Sequence, residues 1–298
     1  MAEPATTRIS VVRDAQLVPL IATPQPAPRR RQPWQGILLE RHTVPATEIP
    51  EHEHRDLCLH LQLAGSPQME WWSEGRHAVE RTAPGSLILL PPGTRDRLRW
   101  QSGSERLILS LDPALLARAA AELDAPAPPE LLMHWTLADP ALRQLLTEMG
   151  RESAAGWPLG ALYAELLAQH LATRLLTAHA TTPATLPTAK GGLPAPRLRR
   201  ALEYITTHLN RDLHLEEISR ELDLSPFHFA RRFRESTGQT PYQYLLDQRI
   251  ARAQHLLRER DWPVSEIAAM VGFSSPVNFA RTFRQRTGQT PVQWRISN

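Results

Sequence analysis

The chain has 298 residues, 42% of them apolar, and a net charge of +3 at neutral pH. That length suits two domains of ordinary size; no run approaches the ~20 apolar residues that span a bilayer, and the N-terminus lacks the basic-then-apolar start of a secretory leader. A single cysteine, Cys58, excludes an internal disulfide framework and suits a cytoplasmic protein.

Residues 1–33, rich in Pro, Ala and Arg and carrying Arg29-Arg30-Arg31, read as a flexible tail. Between 34 and 112, short apolar or alternating runs follow one another at 37–39, 57–63, 69–72, 86–90 and 106–111. Turn signals at Gly65-Ser66-Pro67, Pro84-Gly85 and Pro91-Pro92-Gly93 separate them, a spacing that predicts an antiparallel sandwich or small barrel. From 113 to 180 the period becomes helical, over 113–123, 140–152 and 159–179. The third helix carries Leu159, Leu162, Tyr163, Leu166, Leu167, Leu171 and Leu175 as an apolar stripe, which either packs on the β-domain or supplies part of a dimer seam. Residues 181–196, rich in Pro and Thr with a Gly pair, read as a linker.

Residues 197–298 hold sixteen Arg and no Lys against eleven Asp plus Glu, so the positive charge is gathered here and the rest of the chain is net negative. A polyanion partner suits that asymmetry. Within it, FARRFRESTGQTPYQY at 229–244 returns as FARTFRQRTGQTPVQW at 279–294, with eleven of sixteen positions identical. A helix over 197–209 precedes the first copy. Each copy follows a short helix (215–222, 264–271) and a tight turn, Asp223-Leu224 or Gly272-Phe273, at which a left-handed residue is needed.

Ser225-Pro226 and Ser275-Pro276 then read as an N-cap followed by proline at the first helical position. Phe229 and Phe233, and Phe279 and Phe283, fall four apart and must face the core. By elimination Phe227, His228, Ala230, Arg231 and Arg234 face outwards in one copy, and Val277, Asn278, Ala280, Arg281 and Arg284 in the other. As helices entering DNA grooves, these would present Phe227, His228, Arg231, Val277, Asn278 and Arg281 to base edges, with Arg231 and Arg281 suited to guanine. Arg234 and Arg284, a turn later, suit phosphates. A helix over 241–258 joins the copies; at ~1.5 Å per residue it spans about 27 Å, against ~34 Å between successive major grooves.

This double helix-turn-helix, with its connecting helix, IAAMVGFSS at 267–275 and the closing Phe279…Pro291 segment, resembles the AraC/XylS-type bacterial transcription regulators. The resemblance implies sequence-specific binding to double-stranded promoter DNA, activation through RNA polymerase, and a dimerising N-terminal domain that senses a small-molecule effector. It implies a homodimer and no enzymatic activity.

In the first half, His52-Glu53-His54, Cys58 and Gly65, then Gly85, Pro91-Pro92-Gly93 and Asp96, resemble the two cupin motifs. The glycine and proline framework matches. The ligands depart from the pattern, with Cys58 at the Glu position and Asp96 at the second-motif His position. We therefore expect no cofactor and no resident metal; the set that would hold one is His52, His54, Cys58 and Asp96. A metal-free ligand pocket would use His52, His54 and a nearby tryptophan, Trp72 or Trp71, both of which also suit plain core packing. The alternative is a metal-dependent cupin enzyme fused to a DNA-binding domain. An alkyl-accepting repair protein would need an activated Cys58, whose nearest basic residue in sequence is Arg55.

The expected fold is α+β and multidomain. A tail (1–33) leads into a cupin-like β-barrel or sandwich (34–112), a helical, possibly dimerising segment (113–180) and a linker (181–196). The last part (197–298) is an all-α domain with two helix-turn-helix motifs joined by a long helix.

Overall fold

A computed structural model describes residues 8–21, 33, 34, 36–123, 130–184, 191–259 and 261–297. Alternation of apolar and polar residues builds the strands of the first half: β1 (Ser10–Arg13), β2 (Gln16–Pro19), β3 (Ile37–Val44), β4 (Thr47–Glu53), β5 (Leu57–Ala64), β6 (Gln68–Ser73), β7 (Arg76–Arg81), β8 (Leu87–Leu90), β9 (Arg95–Trp100) and β10 (Ser104–Leu111). After helix α1 (Pro113–Glu122), strand β11 (His134–Leu137) completes two antiparallel sheets, ordered β2-β1-β4-β9-β6-β7 and β11-β8-β5-β10-β3.

Both sheets contribute to one buried core, in which Trp71 of β6 stacks on Trp135 of β11 with ring centroids 4.6 Å apart. The outward face of β9 is charged. Arg95 pairs with Glu53, Arg97 with Glu48, and Arg99 with both Glu48 and Glu70. Helix α2 (Pro140–Ala154) starts on Asp139, which accepts from the Leu142 amide at 3.0 Å.

Two expectations for this half need correction. Part of the stretch read as a flexible tail is a hairpin: β1 pairs with β2 from Ser10↔Pro19 to Arg13↔Gln16, and with β4 at Val12↔Glu53. Val11 is buried in the core there, so burial outweighs the polar composition around it. Arg29-Arg30-Arg31 lies outside the described residues. Strand β11 also interrupts the segment read as purely helical, because Trp135 joins the β-core.

The chain divides into two compact units: residues 1–154 with 170–187, and residues 155–169 with 188–298. Helix α3 (Ala161–Ala178) therefore supplies residues to each unit, whereas its sequence placed it wholly with the first half. Leu162 is part of the second unit's core, and Leu159, Tyr163 and Leu166 pack against that core. Leu167, Leu171 and Leu175 are buried as well. The stripe therefore packs within the chain, with Leu159, Tyr163 and Leu166 left half-buried.

The second unit continues with α4 (Ala195–Thr207), α5 (Leu215–Arg220), α6 (Pro226–Thr237), α7 (Pro241–Glu259), α8 (Val264–Met270), α9 (Pro276–Thr287) and α10 (Pro291–Ser297). Residues 185–190 of the expected linker lie outside the described residues, and α4 begins at Ala195, inside the linker's expected end. Two helix starts are capped reciprocally. Asp212, before α5, accepts from the Ala161 amide at 2.9 Å; Glu165, on α3, accepts from the Leu215 amide at 2.6 Å. Among the described residues no helix is long and apolar enough to cross a membrane.

Candidate nucleic-acid interface and ligand site

The repeat folds as two matched frames. Ser225 caps α6 by accepting from the His228 amide at 3.1 Å, and Ser275 caps α9 by accepting from the Asn278 amide at 3.4 Å. Each helix has proline at its start and ends on a left-handed glycine, Gly238 or Gly288. The preceding turns also behave as expected: Asp223 has φ 53° and Gly272 φ 85°. The Phe229–Phe233 and Phe279–Phe283 pairs are fully buried, edge to face, at 5.5 and 5.6 Å.

On the outer face of α6, Phe227, His228, Ala230 and Arg231 are half-buried and Arg234 is exposed. On α9, Val277 is 79% exposed, Arg281 and Arg284 are exposed and Ala280 is half-buried. Asn278 departs from the outward set. It is only 5% exposed, because its Nδ2 donates to the Pro158 carbonyl at 3.1 Å. Its Oδ1 accepts from Arg281 at 3.0 Å, so its role within this unit is to hold the neighbouring arginine.

Two arginines escaped the sequence reading. Arg232 donates from Nε to His228 Nε2 at 3.0 Å and from Nη1 to the Gly191 carbonyl, which fixes the histidine; its counterpart, Thr282, is buried. Arg249 of α7 is buried and donates to the carbonyls of Leu209 (2.7 Å) and Arg211 (2.8 Å), with its guanidinium over Phe273 at 5.7 Å. Burial pulls its pKa down to about 10. It thereby ties the approach to the first helix-turn-helix to the turn of the second. Its only sequence signal was a charge on the buried stripe of α7, four residues after Leu245.

In the β-domain, His52, His54 and Asp96 come together, all buried, with one potential ligand atom from each lying within 4.8 Å of the others. His54 Nε2 is 2.9 Å from Asp96 Oδ1 and His52 Nε2 is 3.8 Å from Asp96 Oδ2. The His52 approach is too long for a hydrogen bond and the His54 approach is not aligned as one, so these nitrogens and both carboxylate oxygens lack hydrogen-bond partners. His52 Nδ1 donates to the Pro50 carbonyl at 2.9 Å, which leaves Nε2 unprotonated, and burial lowers its pKa. This donor set fits a divalent cation.

Cys58 does not join it. Its sulfur sits 3.3 Å from His60 Nε2, and burial, reinforced by the Asp96 charge, pushes the thiol pKa well up. A thiol held protonated is no nucleophile. Trp72 is also separate from the histidines. It stacks on His77 at 4.8 Å, lies under Arg97 at 4.6 Å, and lines a pocket of about 570 Å³ whose lining includes Asp96 but neither His52 nor His54. The neighbouring Trp71 points into the core instead.

Residues 35–173 match the family described as AraC-like ligand binding domain, and residues 218–297 match the one described as Helix-turn-helix domain. Over 88 residues the chain is 35% identical to the regulatory protein PocR of Salmonella typhimurium, covering 29% of each protein. Over 202 residues it is 30% identical to the MmsAB operon regulatory protein of Pseudomonas aeruginosa, covering 65% of this chain and 60% of that one. Over 245 residues it is 23% identical to the HTH-type transcriptional regulator YobQ of Bacillus subtilis, covering 81% of this chain and 86% of that one. The aligned part thus spans less than two thirds of PocR and of the MmsAB regulator. With a ligand-binding domain matched in one half and the paired helix-turn-helix frame in the other, the chain belongs to the AraC family.

Proposed function

We propose that the chain is a sequence-specific, DNA-binding transcriptional regulator controlled by a small ligand held in its β-domain. One observation carries this reading: two serine-capped, phenylalanine-anchored helices repeat with Arg231 and Arg281 in the same register. Helix α7, 19 residues long and so about 28 Å, suits the separation of successive major grooves on one face of DNA. Phe227, His228, Arg231, Val277 and Arg281 are the base readers, and Arg234 and Arg284 bind phosphate. Asn278 steers Arg281. The protein acts in the cytoplasm on promoter DNA, engages RNA polymerase, and is not an enzyme, in keeping with relatives named as regulators.

The test is a titration of the full chain against a duplex selected from a random pool, alongside a scrambled duplex, over a series of salt concentrations. The reading expects at least ~10³-fold preference for the selected duplex at physiological salt. Equal affinity for both would overturn it.

The cluster of His52, His54 and Asp96 favours a second reading, metal-dependent chemistry in the β-domain. Metal analysis of the purified chain decides it: stoichiometric iron or manganese supports this reading, and absence of metal after growth in supplemented medium contradicts it.

A further inference from the structure

We propose that the β-domain interior binds a small organic carboxylate, with the Arg106 guanidinium as its anchor; this rests on the ligand-sensing reading above and specifies its ligand class. Arg106 lies on β10 between His42 of β3 and Gln62 of β5, its cross-strand partners. It alternates in phase with Ile108, a member of the interior core, and is only 1% exposed. Its Nε donates to Ser104 Oγ at 3.0 Å, its Nη2 donates to Gln62 Oε1 at 3.1 Å, and its guanidinium lies 4.7 Å from the Trp100 ring centroid.

None of these partners is charged, and no carboxylate among the described residues pairs with Arg106. Burial alone draws its pKa down to about 10. The acids of the interior lie elsewhere. Glu40 accepts from the Ile9 amide and lies 2.7 Å from His42 Nε2, while Asp96 stands four residues along β9 from Trp100, against His52 and His54. An unneutralised charge in a low-dielectric interior is costly, and an arriving counter-charge removes that cost.

The surroundings ask for the same molecule. The indole N–H groups of Trp71, Trp100 and Trp135 are buried in this core without acceptors. Of these, Trp100 lies beside the guanidinium, so the matching ligand carries one negative charge and a further oxygen to accept from the indole, as a hydroxy or keto acid does. A phosphate ester, at about −1.5 to −2, would overcompensate the single guanidinium.

Thermal unfolding of the full chain tests this with pyruvate, lactate, 3-hydroxybutyrate and benzoate, each beside its neutral amide at matched ionic strength. At least one carboxylate should raise the midpoint by roughly 3 °C or more near saturation while its amide does not. R106M should abolish the shift and, having lost an unpaired buried charge, should unfold no earlier than the unmodified chain in the absence of ligand. R106K, which keeps the charge without the fork, should reduce the shift. Equal shifts from acids and amides, a shift that survives R106M, an R106M chain that unfolds early, or no shift from any acid would each overturn the proposal. Binding to the selected duplex is measured on the same samples without ligand. A carboxylate shift in a chain that ignores DNA would sink the regulator reading and leave this one standing.

Discussion

Asn278 holds the Pro158 carbonyl with its Nδ2 and the Arg281 guanidinium with its Oδ1, at 3.1 and 3.0 Å, so one buried amide fixes an exposed arginine to the body of its own unit. A position that the repeat offers as a base reader is instead a support for one. Replacing Asn278 with Ala removes two hydrogen bonds, at a cost to stability of about 1–2 kcal/mol. It should also weaken binding to the selected duplex about as far as Arg281→Ala does. If N278A bound that duplex as tightly as the unmodified chain, the steering role would be wrong.

The two arginine pairs should separate by kind. Arg231→Ala and Arg281→Ala are each expected to cost ~1–3 kcal/mol on the selected duplex and to relax base preference under one helix only. Arg234→Ala and Arg284→Ala should weaken binding about equally on all sequences and reduce the salt slope by about 1 each. Titrations against duplexes with single-base changes, at three or more salt concentrations, distinguish the patterns.

Gly272 and Asp223 occupy equivalent turns under different constraints. A Cβ at Gly272 would collide with the Leu209 carbonyl and lie 2.8 Å from Arg249 Nη2, in addition to the strain of φ 85°. Gly272→Ala should therefore destabilise the second unit by roughly 1–3 kcal/mol. Asp223, at φ 53°, is exposed, and Asp223→Gly should be neutral or stabilising by up to ~1 kcal/mol. Denaturant unfolding of the two variants checks the contrast.

The Glu165–His214 pair makes the start of α5 sensitive to pH. Burial is the largest influence on both groups. It raises Glu165 and opposes the rise of His214, which the Glu165 hydrogen bond and the nearby charges of Glu165, Asp212 and Glu217 nevertheless hold above its ordinary value. A folded pKa above the unfolded one stabilises fully below the unfolded value, and that stabilisation is lost as pH rises through the folded value. For His214 the loss begins above about 6.5, and partial exposure keeps it small. Hydrogen-exchange protection of α5, corrected for intrinsic rates, should fall as pH rises above about 6.5. Glu165→Gln should flatten that fall, and an unchanged slope would count against the pair.

Much of the second half was legible because local rules and burial agree there. Ser225-Pro226 and Ser275-Pro276 cap their helices, Gly272 and Asp223 take left-handed turns, and the Phe pairs are core. What escaped depends on partners distant in sequence. Pro158 buries Asn278 across 120 positions, and Arg249 reaches back 40 residues to a backbone carbonyl. In the first half the His52–His54–Asp96 cluster was legible only through the resemblance to the cupin motifs, which also offered Cys58. The inward turn of Cys58 toward His60, the separation of Trp72 from the histidines and the burial of Arg106 were not, since each depends on which face of a strand meets the other sheet.

The account rests on two unlike reading heads working side by side, and hydroxyl-radical footprinting of the full chain on its selected duplex tests that directly. It predicts two protected stretches on one face, centred about 10 base pairs apart and unlike in sequence, the first lost with R231A and the second with R281A. A single palindromic footprint, or protection that both variants leave intact, would contradict it.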